Sequence, residues 1–260
     1  MAYRTLSVET RAPLAYIRIT RPERGNAIDQ EFLEELDAAC AAINDDPDVR
    51  VAILTAQGKV FSSGWDPAEL RPEGPLLAAF RGERGFREPF APLVEMGQPV
   101  IAAVNGDALS AGLELALACD VRVAAEGARF GLPETGQGLI PMAGGTQRLA
   151  RLVGRGRALE LIMTGEPIDA EEGLRIGLVS AVVPGERLLA EAEALAGRIA
   201  ARGPIALRYA KEAVWRGLEM PLDQALRFET DLTIILQTTE DREEGVRAFL
   251  EKRTPRFRGR

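Results

Sequence analysis

The sequence predicts an α/β fold, and three observations carry that prediction. Tyr16 to Thr20 and Val49 to Thr55 are short, apolar and β-branched, and between them Asp29 to Ile43 repeats its apolar residues at helical spacing. Strand-like and helical stretches then alternate again from Pro99 to Val183. From Glu186 onward the strand pattern stops and only helical pattern continues. Strand, helix and strand joined by short links make an α/β unit.

Taken in order, the helix at 29–43 places Phe32, Leu33, Leu36, Ala39, Cys40 and Ile43 on one face, behind an Asp29 suited to cap it. Gln57 to Gly64 reads as a polar turn leading to Trp65 and Asp66. Pro67 to Pro92, rich in Pro, Gly, Arg and Glu, is expected to form a short helix followed by a mobile loop. Pro99 to Val104 is a buried strand ending at the turn Asn105-Gly106. An apolar helix at 111–118, a strand at 121–124 and an irregular loop at 130–138 follow. Helices at 145–153, 157–164 and 170–176 then lead to a last strand at 178–183. The C-terminal helices fall near 186–201, 204–216, 221–236 and 239–252. Apolar positions such as Leu222, Leu226, Phe228, Leu232 and Ile235 need a surface to pack on, in the main domain or in another subunit.

Composition narrows the chemistry. The 260 residues are 46% hydrophobic, enough to bury a substantial core. A net charge of -7, from 39 acidic and 32 basic residues, argues against a general nucleic-acid surface. The first residues carry no targeting pattern, and the apolar runs break well short of a membrane span, so the cytoplasm is the expected compartment. Histidine is absent, which removes Ser-His-Asp and Cys-His catalysis and every histidine-ligated metal. Cys40 and Cys119 lie in apolar helical surroundings and read as buried small side chains. Acid and base work then falls to carboxylates, lysines and tyrosines.

Three segments adjoin strand ends or helix starts: Phe61 to Asp66, Asn105 to Glu114, and Phe130 to Glu134. Glu114 stands out, because it sits one turn into a helix of Leu113, Leu115 and Leu117, where a carboxylate is costly without partners. Two readings fit it: a first-turn glutamate favoured by the helix dipole, or a general acid or base tuned by an apolar setting. Glu134, after a proline in a loop, reads by itself as a solvent-facing side chain.

Over nearly its whole length the chain resembles the enoyl-CoA hydratase/isomerase family, the crotonase superfamily. The landmarks are Arg21-Pro22 with Asn26-Ala27, Gly58 to Gly64 with Asp66, Pro99 to Gly106, Glu114-Leu115-Ala116 with Cys119-Asp120, Phe130-Gly131 with Pro133-Glu134, Gly144 to Leu149, and Ala248 to Arg253. The resemblance implies a crotonase-like spiral of β-β-α turns over about 1–195, holding the active site. It also implies a helical C-terminal region over 196–260 that builds homotrimers, or hexamers made of two trimers. A coenzyme A thioester is the implied substrate, so coenzyme A is part of the substrate and no separate cofactor or metal is expected.

By the same resemblance, the oxyanion-hole donors fall on Trp65 N–H and Ala111 N–H, and the catalytic glutamates of the hydratase subgroup fall on Glu114 and Glu134. Arg24, Ala27, Ser63, Asp66 and Lys252 are expected to hold the coenzyme, with Lys252 and Arg253 coming from a neighbouring subunit. The chain departs from the family at three places. Trp65 replaces a small residue, either shaping the acyl pocket or filling a gap. Ser110-Ala111-Gly112 replaces a glycine run. Leu132 replaces a polar residue that would hydrogen bond Glu134. The implied activity is hydration of a 2-enoyl-CoA. Isomerisation of the double bond and a non-catalytic acyl-CoA-binding or scaffold role are the rivals.

Overall fold

The computed structural model describes residues 3–71 and 88–260. The loop expected at 67–92 therefore lies largely outside the described residues. Six strands form the main sheet: β1 (Leu6–Arg11), β2 (Leu14–Ile19), β3 (Val51–Ala56), β5 (Val100–Val104), β7 (Val121–Ala125) and β10 (Ala181–Val183), in that spatial order. β1 and β2 are antiparallel and every later pair is parallel. A second sheet holds β4 (Val60–Ser62), β6 (Asp107–Leu109), β8 (Arg129–Gly131) and β9 (Ile168–Asp169). The chain thus climbs as a spiral. β3 and β4, β5 and β6, and β7 and β8 each give one strand to the first sheet and the next to the second, and helices close the turns. This is the spiral of β-β-α turns that the resemblance implies.

Each turn is built as its sequence pattern requires. Helix α1 (Gln30–Asn44) begins where Asp29 Oδ1 accepts the Phe32 N–H at 2.9 Å, the cap expected of that aspartate. β3 is buried on both faces, as a central parallel strand should be. Its side chains alternate: Ala52 and Leu54 join the larger core, while Val51 and Ile53 face helix α7 (Leu188–Ala200). On α7, Leu188, Ala192, Ala196 and Ala200 recur every fourth residue, and the three alanines let it lie close on the sheet.

Two expected loops are partly regular. The turn at 57–64 contains β4, and the stretch at 130–138 contains β8 and a 3₁₀ turn, Pro133–Gln137. Short helices α2 (Ala91–Glu95) and α3 (Ala111–Leu117) follow β4 and β6. After the 3₁₀ turn come α4 (Gly145–Val153), α5 (Arg155–Thr164) and α6 (Ala170–Arg175). The C-terminal helices are α8 (Pro204–Gly217), α9 (Leu222–Leu236) and α10 (Glu240–Leu250). Asp120, just past α3, fastens α8 to the main body. It pairs with Lys211 at 2.9 Å, accepts the Trp215 indole N–H at 2.8 Å and accepts the Val100 N–H at 2.7 Å. Among the described residues, no helix is long and apolar enough to cross a membrane.

Candidate active site

The second sheet delivers two chain segments to one place. β4 and β6 run parallel, with Ser62 opposite Ala108, so residues 63–66 and 110–112 emerge side by side from the same strand ends. Their backbones are in close contact. Gly64 has φ +104°, and a Cβ there would lie 2.5 Å from that of Ser110; a Cβ on Gly112 would lie 2.6 Å from the Ser62 carbonyl oxygen. Ser110 itself is strained, at φ 52° and ψ -129°, a backbone conformation that glycine adopts readily and serine does not.

This packing leaves two amide donors free. Ile28 N–H donates to the Gly64 carbonyl and Asp66 N–H donates to the Ile28 carbonyl, each at 2.8 Å. Successive amides of an extended strand point to opposite sides, so Trp65 N–H is directed away from Ile28. Ala111 is the first residue of α3, and its N–H precedes any intrahelical acceptor. Among the described residues neither amide has a backbone acceptor.

Glu114 is fully buried one turn into α3, where all seven helical residues are buried. Its Oε1 accepts the Ala143 N–H at 2.7 Å and the Gly145 N–H at 2.8 Å. Its Oε2 is buried without a hydrogen-bond partner. Burial pushes its carboxyl up to about 7; the Gly145 and Ala143 donors pull the other way, and the charges of Glu134 and Glu88 add to the rise. Glu114 is a first-turn residue of α3, and its carboxylate is buried and does not face solvent.

Glu134 is not the solvent-facing residue that its loop setting suggested. It is 5% exposed and neither of its carboxylate oxygens has a hydrogen-bond partner. Burial raises its pKa. The neighbouring Ser110 hydroxyl opposes this without reaching hydrogen-bond geometry. Thr135 Oγ1 donates to the Ile162 carbonyl at 2.8 Å and fixes the 3₁₀ turn against α5. Leu132, fully buried, offers Glu134 no polar partner, as the departure from the family pattern led us to expect.

A further layer supports Glu114. Arg148 donates to both oxygens of Glu88, at 3.2 and 2.7 Å, and to the Ala143 carbonyl at 3.1 Å. It thereby braces the 143–145 turn whose N–H groups hold Glu114. Arg148 was only part of a motif in the sequence. Arg122 was missed entirely: its buried guanidinium donates to the carbonyls of Cys119 and Leu178, each at 2.8 Å, and closes the C-terminal end of α3. An arginine inside an apolar strand was the signal available.

Of the coenzyme candidates, the fold gathers four. Arg24 is hydrogen bonded to Asp66; Ser63 N–H donates to the Gly25 carbonyl at 2.9 Å; and the Ala27 carbonyl accepts from Arg21 at 2.5 Å. Lys252 stands past the end of α10, and among the described residues no hydrogen bond or ion pair joins it to this cluster. Cys40 and Cys119 are buried and form no disulfide, and burial pushes the Cys119 thiol up to about 12, which makes it an inert packing residue.

Residues 9–260 match the family described as enoyl-CoA hydratase/isomerase. The crotonyl-CoA hydratase of Syntrophomonas wolfei is 44% identical over 258 residues, covering 99% of both chains. The 2,3-dehydroadipyl-CoA hydratase of Escherichia coli is 42% identical over 255 residues, covering 98% of this chain and 99% of its own. A crystal structure of enoyl-CoA hydratase from Bacillus anthracis superposes with a TM-score of 0.92 at 42% identity, covering 99% of this chain and 100% of that one.

Proposed function

The chain belongs to the enoyl-CoA hydratase/isomerase family, and from that premise we propose that it adds water across the double bond of a 2-enoyl-CoA thioester to give the 3-hydroxyacyl-CoA. One observation carries the reading. Two buried carboxylates, Glu114 and Glu134, present three unpartnered oxygens, and two backbone N–H groups, at Trp65 and Ala111, have no backbone acceptor among the described residues. Unpaired polar atoms inside a protein are costly, and so many together make a site built for a ligand.

In this reading Trp65 N–H and Ala111 N–H take the thioester oxygen and stabilise the negative charge that develops on it as water adds. The start of α3 reinforces the second donor. Glu114 is the base: two N–H groups favour its anion and fix Oε1, so Oε2 is left to take a proton from water as the water oxygen bonds to C3. Glu134 lacks such donors, so burial favours its protonated form, and it delivers the proton to C2. The two carboxyls share one proton between them, and each turnover returns the pair to its starting charge.

Arg24, Ala27, Ser63 and Asp66 would line the entry for the coenzyme. Arg24 would exchange its contact with Asp66 for a phosphate, and Lys252 would arrive from a neighbouring copy. Exposed apolar side chains support such an assembly, a homotrimer or two trimers together: Leu218, Leu222, Leu226, Phe249 and Leu250 range from 53% to 82% exposed. Residues 196–260 would then be the oligomerisation region.

The test is incubation of the purified protein with 2-enoyl- and 3-enoyl-CoA thioesters of varied chain length. The reading expects 3-hydroxyacyl-CoA from the 2-enoyl series. Only interconversion of the double bond, or acyl-CoA binding without turnover, would replace it.

A further inference from the structure

We propose that the Trp65 indole N–H reads the acyl group, donating a hydrogen bond to a neutral oxygen carried on the acyl chain beyond C3, so that oxygen-bearing enoyl thioesters are favoured over plain alkyl ones. The inference rests on the hydratase reading above and deepens it.

Indole nitrogen is only a donor, so nothing but an acceptor can satisfy it. Trp65 is 5% exposed, yet its Nε1 has no hydrogen-bond partner. Trp215 shows what this chain does with an indole that serves structure alone: its Nε1 donates to Asp120 at 2.8 Å. The ring of Trp65 is fixed, lying nearly parallel to Phe90 with a 9° angle between planes and centroids 6.1 Å apart. A gap-filling indole would gain as much from a phenylalanine in that stack without burying an unpaired donor.

The position of Trp65 ties this donor to the acyl end of the site. Its own backbone N–H is one of the two proposed thioester donors. Gly64, beside it, abuts Ser110, which adjoins Glu134 and starts the helix bearing Glu114. On the other side Phe90 N–H donates to Glu88 at 3.0 Å, and the Glu88 charge is felt at Glu114. Among the described residues the site already holds two buried carboxylates, Glu114 and Glu134, with the charge of Glu134 felt at Glu114. That negative balance disfavours a carboxylate tail and leaves a hydroxyl, ether or keto oxygen as the acceptor that fits.

The experiment follows the two indole N–H resonances of the protein by nitrogen-15 NMR, with Trp65→Phe assigning one and Trp215 serving as internal reference. The probes are saturated: hexanoyl-CoA, the hexanoyl-CoAs hydroxylated at the terminal, penultimate or antepenultimate carbon, and adipyl-CoA. At least one hydroxylated probe should move the Trp65 N–H downfield and bind about tenfold more tightly than hexanoyl-CoA. In Trp65→Phe that ratio should fall to about one. No downfield shift with any hydroxylated probe, or a ratio that survives Trp65→Phe, overturns the proposal, as does a larger effect from adipyl-CoA. Because the probes cannot be hydrated, a shift without enoyl turnover would keep the indole assignment and sink only the hydratase reading.

Discussion

Glu114 Oε1 lies 2.8 Å from the Gly145 N–H, and a methyl group at residue 145 would come 2.9 Å from that same oxygen and 2.9 Å from Pro141 Cβ. The glycine is therefore needed for the carboxylate to be held where it is. We predict that Gly145→Ala lowers kcat by on the order of a hundredfold, by displacing the proposed base, while circular dichroism shows the fold retained. Unchanged turnover would show that the contact does not set the position of the proposed base.

The pH dependence follows from the burial of the same residue. With its carboxyl pushed up to about 7, Glu114 loses its basic form as pH falls through that value, so kcat/KM should fall on the acid side. Stability runs the opposite way. The folded state holds a proton that the unfolded chain releases near 4.5, so this contribution is complete below 4.5 and is lost as pH rises through about 7. Urea denaturation should show Glu114→Gln gaining stability relative to the parent as pH is raised across that interval. A constant difference would contradict the raised pKa.

Much of this was legible in the sequence, for identifiable reasons. Asp29 announced its helix because a cap is a local event, and Glu114 drew notice because a carboxylate among leucines violates burial rules wherever the chain folds. What holds Glu114 was not legible: Ala143 and Gly145 are 29 and 31 residues away, and Arg148 meets Glu88 across 60. β4 and β8, three residues each, were hidden because they are strands only by virtue of their neighbours in the second sheet. Glu134 owed its expected role to the resemblance alone, and the fold then gave it the burial that its sequence setting denied.

Arg148 supplies another test. Replacing it with methionine removes the ion pair of the half-buried Glu88 and the donor to the Ala143 carbonyl. Arg148→Met should cost about 1–3 kcal/mol of stability and about tenfold or more in kcat, with a smaller change in KM. Arg148→Lys, which keeps the charge, should recover part of the stability and less of the rate, because lysine cannot hold both partners in one plane. Equal recovery of both would show that only charge matters.

Assembly can be read separately from chemistry. Phe249 is 82% exposed and Leu250 73% exposed at the end of α10. Phe249→Glu should shift the species seen by light scattering toward the single chain, with the helical spectrum preserved. An unshifted mass would place the subunit interface elsewhere.

The most direct test of the central claim is the rate of 2-enoyl-CoA hydration by Glu114→Gln, Glu134→Gln and the double variant. If the two carboxyls act as one unit on one water, each single change should cost at least about a hundredfold, and the double variant should be no slower than the worse single. A hydration rate that survives either single change, or a double loss equal to the product of the two, would contradict the shared site.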